Sequence, residues 1–432
     1  MDRILCDELL EEVLRRLPPH SALYPHTADD VSLVSKRWLR LYRSSRSALS
    51  LRLSPDNCTP HSLSSFLSHF PGLSRLLIAI FGPTRAARDT SNFSDLLLSS
   101  VAFSCPPQLT HLCLQRKPVS LSPLLSLSTS CPHLTSLSIT LSRPLSFHWL
   151  LSFPSLQQLD VVFVRLPTKF EHADAASKGS KLDGELKLET LSLTGIRSGH
   201  YGLDGLWRSC KKLKKLQLRR CRGIGEDTSV SSFNNCLKGL QEVELRSCES
   251  LVNDILTRLV KSCTSLNSLL IHCGSREGLL QFITHSHWLT TMALAMSNNK
   301  LEELALRDCH MEPGLLITLG QSFRNLRKLD LSRNDKLADE EFISMLVSLN
   351  CLRELKVRGC ELLTNASVVS MFKSCKQLES VDLVDCRGIE AEAVELFVLN
   401  CLRLRQICVE ESKISDVSRS WASKKFVEVI VD

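Results

Sequence analysis

Two stretches decide the fold of this chain: Leu326-Arg-Lys-Leu329-Asp-Leu331-Ser-Arg-Asn334 and Leu352-Arg-Glu-Leu355-Lys-Val357-Arg-Gly-Cys360. Both place aliphatic residues at the same three positions and then a cysteine or asparagine. The pattern recurs about every 25 to 27 residues from the middle of the chain onward, and weaker copies extend it toward both ends. Each copy combines a short alternating apolar stretch with apolar residues at helical spacing. Such a unit cannot bury its apolar face alone, so we expect neighbouring units to stack.

Stacked units of this kind predict an α/β solenoid, with short parallel strands in one sheet and helices on the outside. The 432 residues are 43% hydrophobic and 23% charged, which excludes a disordered chain. No apolar run approaches the ~20 residues that cross a bilayer, so we expect no membrane association. Most of the 18 cysteines occupy repeat positions. We therefore expect them to be buried and unreactive, with no metal site and no cofactor.

The repeats resemble those of leucine-rich repeat proteins of the cysteine-containing, plant-like subclass. In that subclass an aliphatic residue and then an acidic residue or asparagine follow the cysteine, as in Cys248…Leu251…Asp254 and Cys360…Leu363…Asn365. The resemblance implies a horseshoe with parallel strands on its concave face and helices outside. We assign residues 46–432 to this solenoid, with about 14 repeats and irregular insertions near 165–187 and 272–300.

Residues 1–45 lie outside the repeat and predict a module of short helices. Asp7 can cap a first helix that carries apolar residues on one face, and Pro18 ends it. A second helix follows with Trp38 on its apolar face. A module of this size cannot bury that much apolar surface alone, so it packs on a neighbour or a partner. In the simplest interpretation it is a polar-faced cap on the solenoid.

The segments Leu5–Pro18 and Val31–Leu41 also resemble an F-box. They depart from the family at Cys6, where proline is usual, and in the longer linker His20–Asp30. The resemblance implies binding to a Skp1-like adaptor, and through it to a cullin, so that the chain would be the substrate-recognition subunit of an SCF ubiquitin ligase in the ubiquitin conjugation pathway. The residues implied in Skp1 binding, or in the packing behind it, are Leu5, Leu9, Leu10, Val13, Leu17, Pro18, Val31, Val34 and Trp38.

A target protein is expected on the concave face, where strand residues alternate with the buried ones. Mixed charge with several arginines is usual at protein-recognition surfaces. It is also the ordinary composition of a solvated surface, and both interpretations stay open. The candidate substrate-binding residues are Lys215, Arg219, Glu242, Glu244, Arg246, Glu303, Arg307, Lys328, Asp330, Glu354, Lys356 and Arg358.

Other functions find less support in the sequence. We see no phosphate-binding glycine loop and no catalytic signature, so we do not expect an enzyme. The net charge of +7 is a mild excess and gives no argument for nucleic acid. The acidic start Met1–Glu8 does not resemble an export signal, so we expect a cytoplasmic or nuclear protein. The alternatives are a leucine-rich repeat scaffold or inhibitor without a ligase role, and a small-molecule-gated F-box receptor.

Overall fold

The computed structural model describes residues 6–16, 34–56, 58–81, 92–104, 106–142, 147–164, 182, 184–197, 203–224, 230–273, 300–309 and 314–432. The chain divides into two units, which are described separately. Unit 1 comprises Met1–Leu213 and Gly225–Phe233, and unit 2 comprises Lys214–Ile224 and Asn234–Asp432. Among the described residues, no helix has the length and apolar character needed to cross a membrane.

Unit 1 alternates short strands with helices, as the repeat predicts. Its parallel strands pair in chain order: β1 (Ala48–Leu53), β2 (Arg75–Ile80), β3 (His111–Val119), β4 (Ser136–Ser142), β5 (Gln158–Val164) and β6 (Thr190–Thr194). Its helices are α1 (Asp7–Arg16), α2 (Lys36–Ser45), α3 (Pro60–Leu67), α4 (Phe93–Ser104), α5 (Leu121–Ser130) and α6 (Leu203–Ser209), with a 3-10 turn at His148–Ser152.

Unit 2 contains the more regular repeats. Its strands also pair in parallel and in chain order: β7 (Lys215–Arg219), β8 (Glu242–Arg246), β9 (Ser268–His272), β10 (Glu303–Arg307), β11 (Lys328–Asp330), β12 (Glu354–Lys356), β13 (Ser380–Asp382), β14 (Gln406–Val409) and β15 (Glu428–Val431). Helix α7 (Val230–Leu237) spans the division between the units. The helices that follow are α8 (Glu249–Ser262), α9 (Leu315–Ser322), α10 (Asp339–Leu346), α11 (Asn365–Ser374), α12 (Ala391–Asn400) and α13 (Asp416–Lys424).

The predicted α/β solenoid architecture is confirmed. The repeat leucines form the core: Leu304, Leu306, Leu329 and Leu331 are all at most 2% exposed. Consecutive helices α9 to α13 pack on one another in unit 2, because each carries one apolar side that its own strand cannot cover completely.

The cysteine or asparagine after each strand ties neighbouring repeats together. The Asn334 side chain accepts from the Cys309 backbone N–H (2.9 Å) and donates to the carbonyls of Leu306 (2.8 Å) and Leu331 (2.6 Å). At the same position one repeat later, the Cys360 thiol donates to the Leu331 carbonyl (3.2 Å). Both residue types suit the position because a small buried side chain must satisfy backbone groups where the strand ends.

Candidate protein-binding surfaces

The N-terminal helices enclose a small apolar core. Leu10 and Leu14 of α1 pack against Leu41 and Tyr42 of α2, and the half-buried Trp38 covers this cluster. The apolar spacing of the two helices produces this core, since residues four apart lie on one helix face.

Polar contacts fix the angle at which α2 begins. Ser35 caps the helix by accepting from the Trp38 backbone N–H (3.2 Å). The Arg37 guanidinium binds the Asp7 carboxylate at 2.5 Å, which joins the starts of the two helices. At the other end of α2, the Arg46 guanidinium lies 4.5 Å from the centre of the Tyr42 ring. The half-buried Trp38 is therefore held at a fixed position over the helical core.

Three predicted Skp1-binding residues lie outside this core and face solvent. Leu9 is 58% exposed, Val13 50% and Val34 54%. The structure therefore places Leu10 and Trp38 in the packing of the module and leaves Leu9, Val13 and Val34 exposed. The predicted residues Leu5, Leu17, Pro18 and Val31 lie outside the described residues.

The predicted substrate residues of unit 2 come together on one side of the sheet, here called the charged sheet face: the outward side chains of β7 to β12 with the adjoining Arg358. Most of their charges pair between adjacent strands. The pairs between neighbouring repeats are Lys215–Glu242 (2.5 Å), Arg219–Glu244 (3.1 Å), Lys328–Glu303 (2.9 Å), Lys328–Glu354 (3.7 Å), Arg307–Asp330 (2.5 Å) and Arg358–Asp385 (3.7 Å). Arg246 pairs with Glu244 within β8. Arg358 also contacts Asp432.

The parallel register explains this pairing, because a residue of one repeat lies beside the equivalent residue of the next. Lys215 is directly opposite Glu242, and Glu303 is opposite both Ser268 and Lys328. The hydrogen bond from the Lys328 ammonium to Glu303 raises the pKa of Lys328. Exposed pairs of this kind contribute about 0–1 kcal/mol each.

Strand β9 interrupts the charges, and its outward residues were not among those predicted from the sequence. Ser268, Leu270 and His272 face outward there, and Leu270 lies beside Ala305 of β10. Ser268 and Leu270 border a depression of about 160 Å³, with Arg307, Lys328 and Lys356 at its edge. Burial lowers the pKa of His272, and its buried Nδ1 finds no hydrogen-bond partner among the described residues. The alternation around Leu269 and Ile271 was the signal that could have identified this set.

The hydroxyl-rich strands of unit 1 make a different surface. The Ser138 hydroxyl donates to the Asp160 carboxylate at 2.8 Å. Thr140 and Ser192 are buried rather than exposed. Asp160 is the one charged residue in strands β4 to β6, whereas β1 to β3 carry Arg52, Arg75, Arg116 and Lys117.

The described residues contain no group of three or more histidine, cysteine or acidic side chains placed to hold a metal ion. Burial raises the pKa of the thiols of Cys236, Cys360 and Cys375 to about 12. Buried protonated thiols of this kind are poor nucleophiles and poor ligands. Cys273 and Cys309 lie with their sulfur atoms 3.4 Å apart, and the hydrogen bond between them, followed by burial, raises the pKa of Cys309.

The chain was compared with family models and with solved structures, and each comparison gave a match. Residues 324–340, which include β11 and the Asn334 turn, match the family model described as Leucine Rich repeat. Among solved structures, the chain is similar to the crystal structure of the Rad7 and Elc1 complex in yeast, with 15% sequence identity and a TM-score of 0.45, over 99% of this chain and 93% of that chain. The family match thus covers one repeat, at β11 and the turn after it, and the same strand-and-helix unit recurs in the described parts of both units.

Proposed function

We propose that this chain is the substrate-recognition subunit of an SCF-type ubiquitin ligase. Its N-terminal helices would act as an F-box that binds a Skp1-like adaptor and, through it, a cullin. The charged sheet face would receive a target protein. In this proposal the chain has no catalytic site of its own and acts in the cytoplasm, the nucleus or both.

The observation that carries the proposal is the division of apolar residues in α1 and α2. The module already has its own core in Leu10, Leu14 and Leu41. Leu9 nevertheless remains 58% exposed and Val13 50% exposed. A polar-faced cap would not need these side chains to be apolar. Fully burying a leucine or valine contributes about 1.5–3 kcal/mol, so a partner that covers both gains a substantial part of its binding free energy there.

The direct test is co-purification with a recombinant Skp1-family adaptor. The double variant Leu9→Asp/Val13→Asp should lose at least about tenfold in affinity, because each carboxylate would be buried without a partner. The matched control is Leu96→Asp/Phe103→Asp, which places two carboxylates on the exposed side of α4; these residues are 51% and 89% exposed. Trp38→Ala should also weaken binding, together with a loss of stability.

Failure of the wild-type chain to bind the adaptor would contradict the ligase function and favour the scaffold or inhibitor alternative. Equal binding by the wild type and by Leu9→Asp/Val13→Asp would show that this surface is not the adaptor site. A small-molecule-gated receptor would differ by binding its target only when the small molecule is added.

The proposed target site can be tested by proximity labelling in cells. Charge reversal at Arg246, Arg307 and Arg358 should abolish labelling of a target that the wild type labels. Reversal of the exposed residues Lys211, Lys238 and Lys300 makes the same change in net charge away from this face and is the control. Unchanged labelling by the first variant would reject the charged sheet face as the target site.

A further inference from the structure

A groove in unit 1 lies between helix α2 and the turn that follows α3. Its volume is about 410 Å³. The lining residues are Lys36, Leu39, Arg40, Arg43, Ser44, His69 and Pro71. No acidic residue is among them, so the groove combines an apolar floor at Leu39 and Pro71 with a cationic rim.

The rim comes from a regular pattern on α2. Lys36, Arg40 and Arg43 are four and then three residues apart, which places them on one side of the helix. The buried residues Leu41 and Tyr42 lie on the other side. The three cations therefore form a stripe along the part of α2 that faces away from the helical core.

Only the Arg43 end of this stripe favours the helix that carries it, because Arg43 lies in the last turn, where a cation suits the helix dipole. Like charges at this spacing repel each other, and a cation in the first turn opposes the helix dipole. Helix α2 has no acidic residue in its first turn to compensate. Arg40 forms an ion pair with Asp7 at 3.6 Å, and Asp7 binds Arg37 more closely, at 2.5 Å, so Lys36 and Arg43 are the cations of the stripe for which the described residues provide no carboxylate within ion-pair distance. The charges are best explained by a negatively charged occupant of the groove.

We propose that this groove binds an acidic, amphipathic segment of the adaptor protein. The inference rests on the proposed function, and it adds a second contact to the apolar one at Leu9 and Val13. An apolar side chain of the segment packs on Leu39 and Pro71, while carboxylates on either side meet the ammonium and guanidinium groups of the rim. Arginine beside apolar surface is typical of protein interfaces. The exposed apolar residues Leu9, Val13 and Val34 of the same helical module favour a protein over a nucleic acid or a lipid surface.

The experiment measures adaptor binding by the full chain at several salt concentrations. The triple variant Lys36→Glu/Arg40→Glu/Arg43→Glu should bind a recombinant Skp1-family adaptor roughly 10- to 100-fold more weakly, mainly through a slower association rate. The neutral variant Lys36→Gln/Arg40→Gln/Arg43→Gln should fall between it and the wild type. The control Lys211→Glu/Lys238→Glu/Lys300→Glu should retain wild-type affinity. Circular dichroism of each variant checks that α-helical content is unchanged.

Each result bears on the groove separately from the proposed function. Weaker binding by the groove variants, with a salt dependence shallower than that of the wild type, supports the groove. Wild-type affinity in both groove variants overturns it but leaves the adaptor function standing. No adaptor binding by the wild type overturns both. Tight binding of heparin or single-stranded DNA that the groove variants abolish, without any change in adaptor affinity, overturns the assignment to a protein segment.

Discussion

Replacement of Asn334 by alanine tests how the repeats are held together. Asn334 is 3% exposed, and its side chain makes three hydrogen bonds, with the Cys309 N–H and with the carbonyls of Leu306 and Leu331. Alanine would leave the Cys309 N–H and the Leu306 carbonyl without this partner, whereas the Leu331 carbonyl keeps its hydrogen bond from the Cys360 thiol. One unsatisfied buried group costs about 1–3 kcal/mol, and partial entry of water reduces the sum. We expect Asn334→Ala to lower the free energy of unfolding by about 3–4 kcal/mol.

The variant Asn334→Cys separates hydrogen bonding from packing. A thiol at this position should donate to the Leu306 carbonyl, as the Cys360 thiol donates to the Leu331 carbonyl. It should therefore recover about half of the loss. Urea unfolding gives the free energy, and amide hydrogen exchange at Cys309 reports the local effect even where the repeats do not unfold together. A loss below about 1 kcal/mol for alanine, or an equal loss for cysteine and alanine, would refute this account of the turn.

Two further predictions concern close packing and buried thiols. A β-carbon at Gly388 would lie 2.6 Å from the Leu363 carbonyl oxygen. Gly388→Ala should therefore lower the free energy of unfolding, measured in urea, by about 1–3 kcal/mol. A change under about 0.5 kcal/mol would contradict this close contact. Burial raises the pKa of Cys236, Cys360 and Cys375 to about 12 from the ordinary value of 9.0, so their contribution to stability is fully present below pH 9 and is lost as the pH rises from about 9 to 12. The melting temperature under reducing conditions should fall over that range, and less steeply in Cys375→Ala than in the wild type; parallel curves would contradict a role for this thiol.

The fold follows from the sequence because the repeat determines both the strands and their neighbours. Once Leu329 and Leu331 are assigned to a strand, the same spacing places Leu355 and Val357 in the next one, and the structure aligns Leu329 with Leu355. The weak copies of unit 1 form strands as well, since Leu137 and Ile139 are as deeply buried as their counterparts in unit 2. The division into two units has no comparable sequence signal, because the repeat itself continues through residues 213–233.

The binding surfaces could be predicted only in part. Leu9 and Leu10 are neighbours of identical chemistry, yet one is 58% exposed and the other fully buried, because the position of α2 decides which side of α1 is covered. The ion pairs on the charged sheet face could in principle have been predicted from the sequence, since Lys215 and Glu242 occupy equivalent positions of successive repeats. The groove at α2 could not be predicted from the sequence, because two of its lining residues, His69 and Pro71, belong to a different repeat.

The presence of charged side chains does not by itself identify a binding surface in this protein. The more informative property is whether each charge is already paired with an opposite charge. On the charged sheet face Arg307 meets Asp330, whose side chain is 11% exposed, so an incoming ion must replace an existing contact and gains little. On α2, Lys36 and Arg43 line a groove whose lining contains no carboxylate. An acidic partner that binds there does not have to displace an existing ion pair in that lining. Under the proposed function, the cations Lys36 and Arg43, unpaired within the described part of the chain, therefore make the helical module the stronger candidate for a high-affinity contact, whereas the paired sheet face would contribute mainly to the choice among targets by charge.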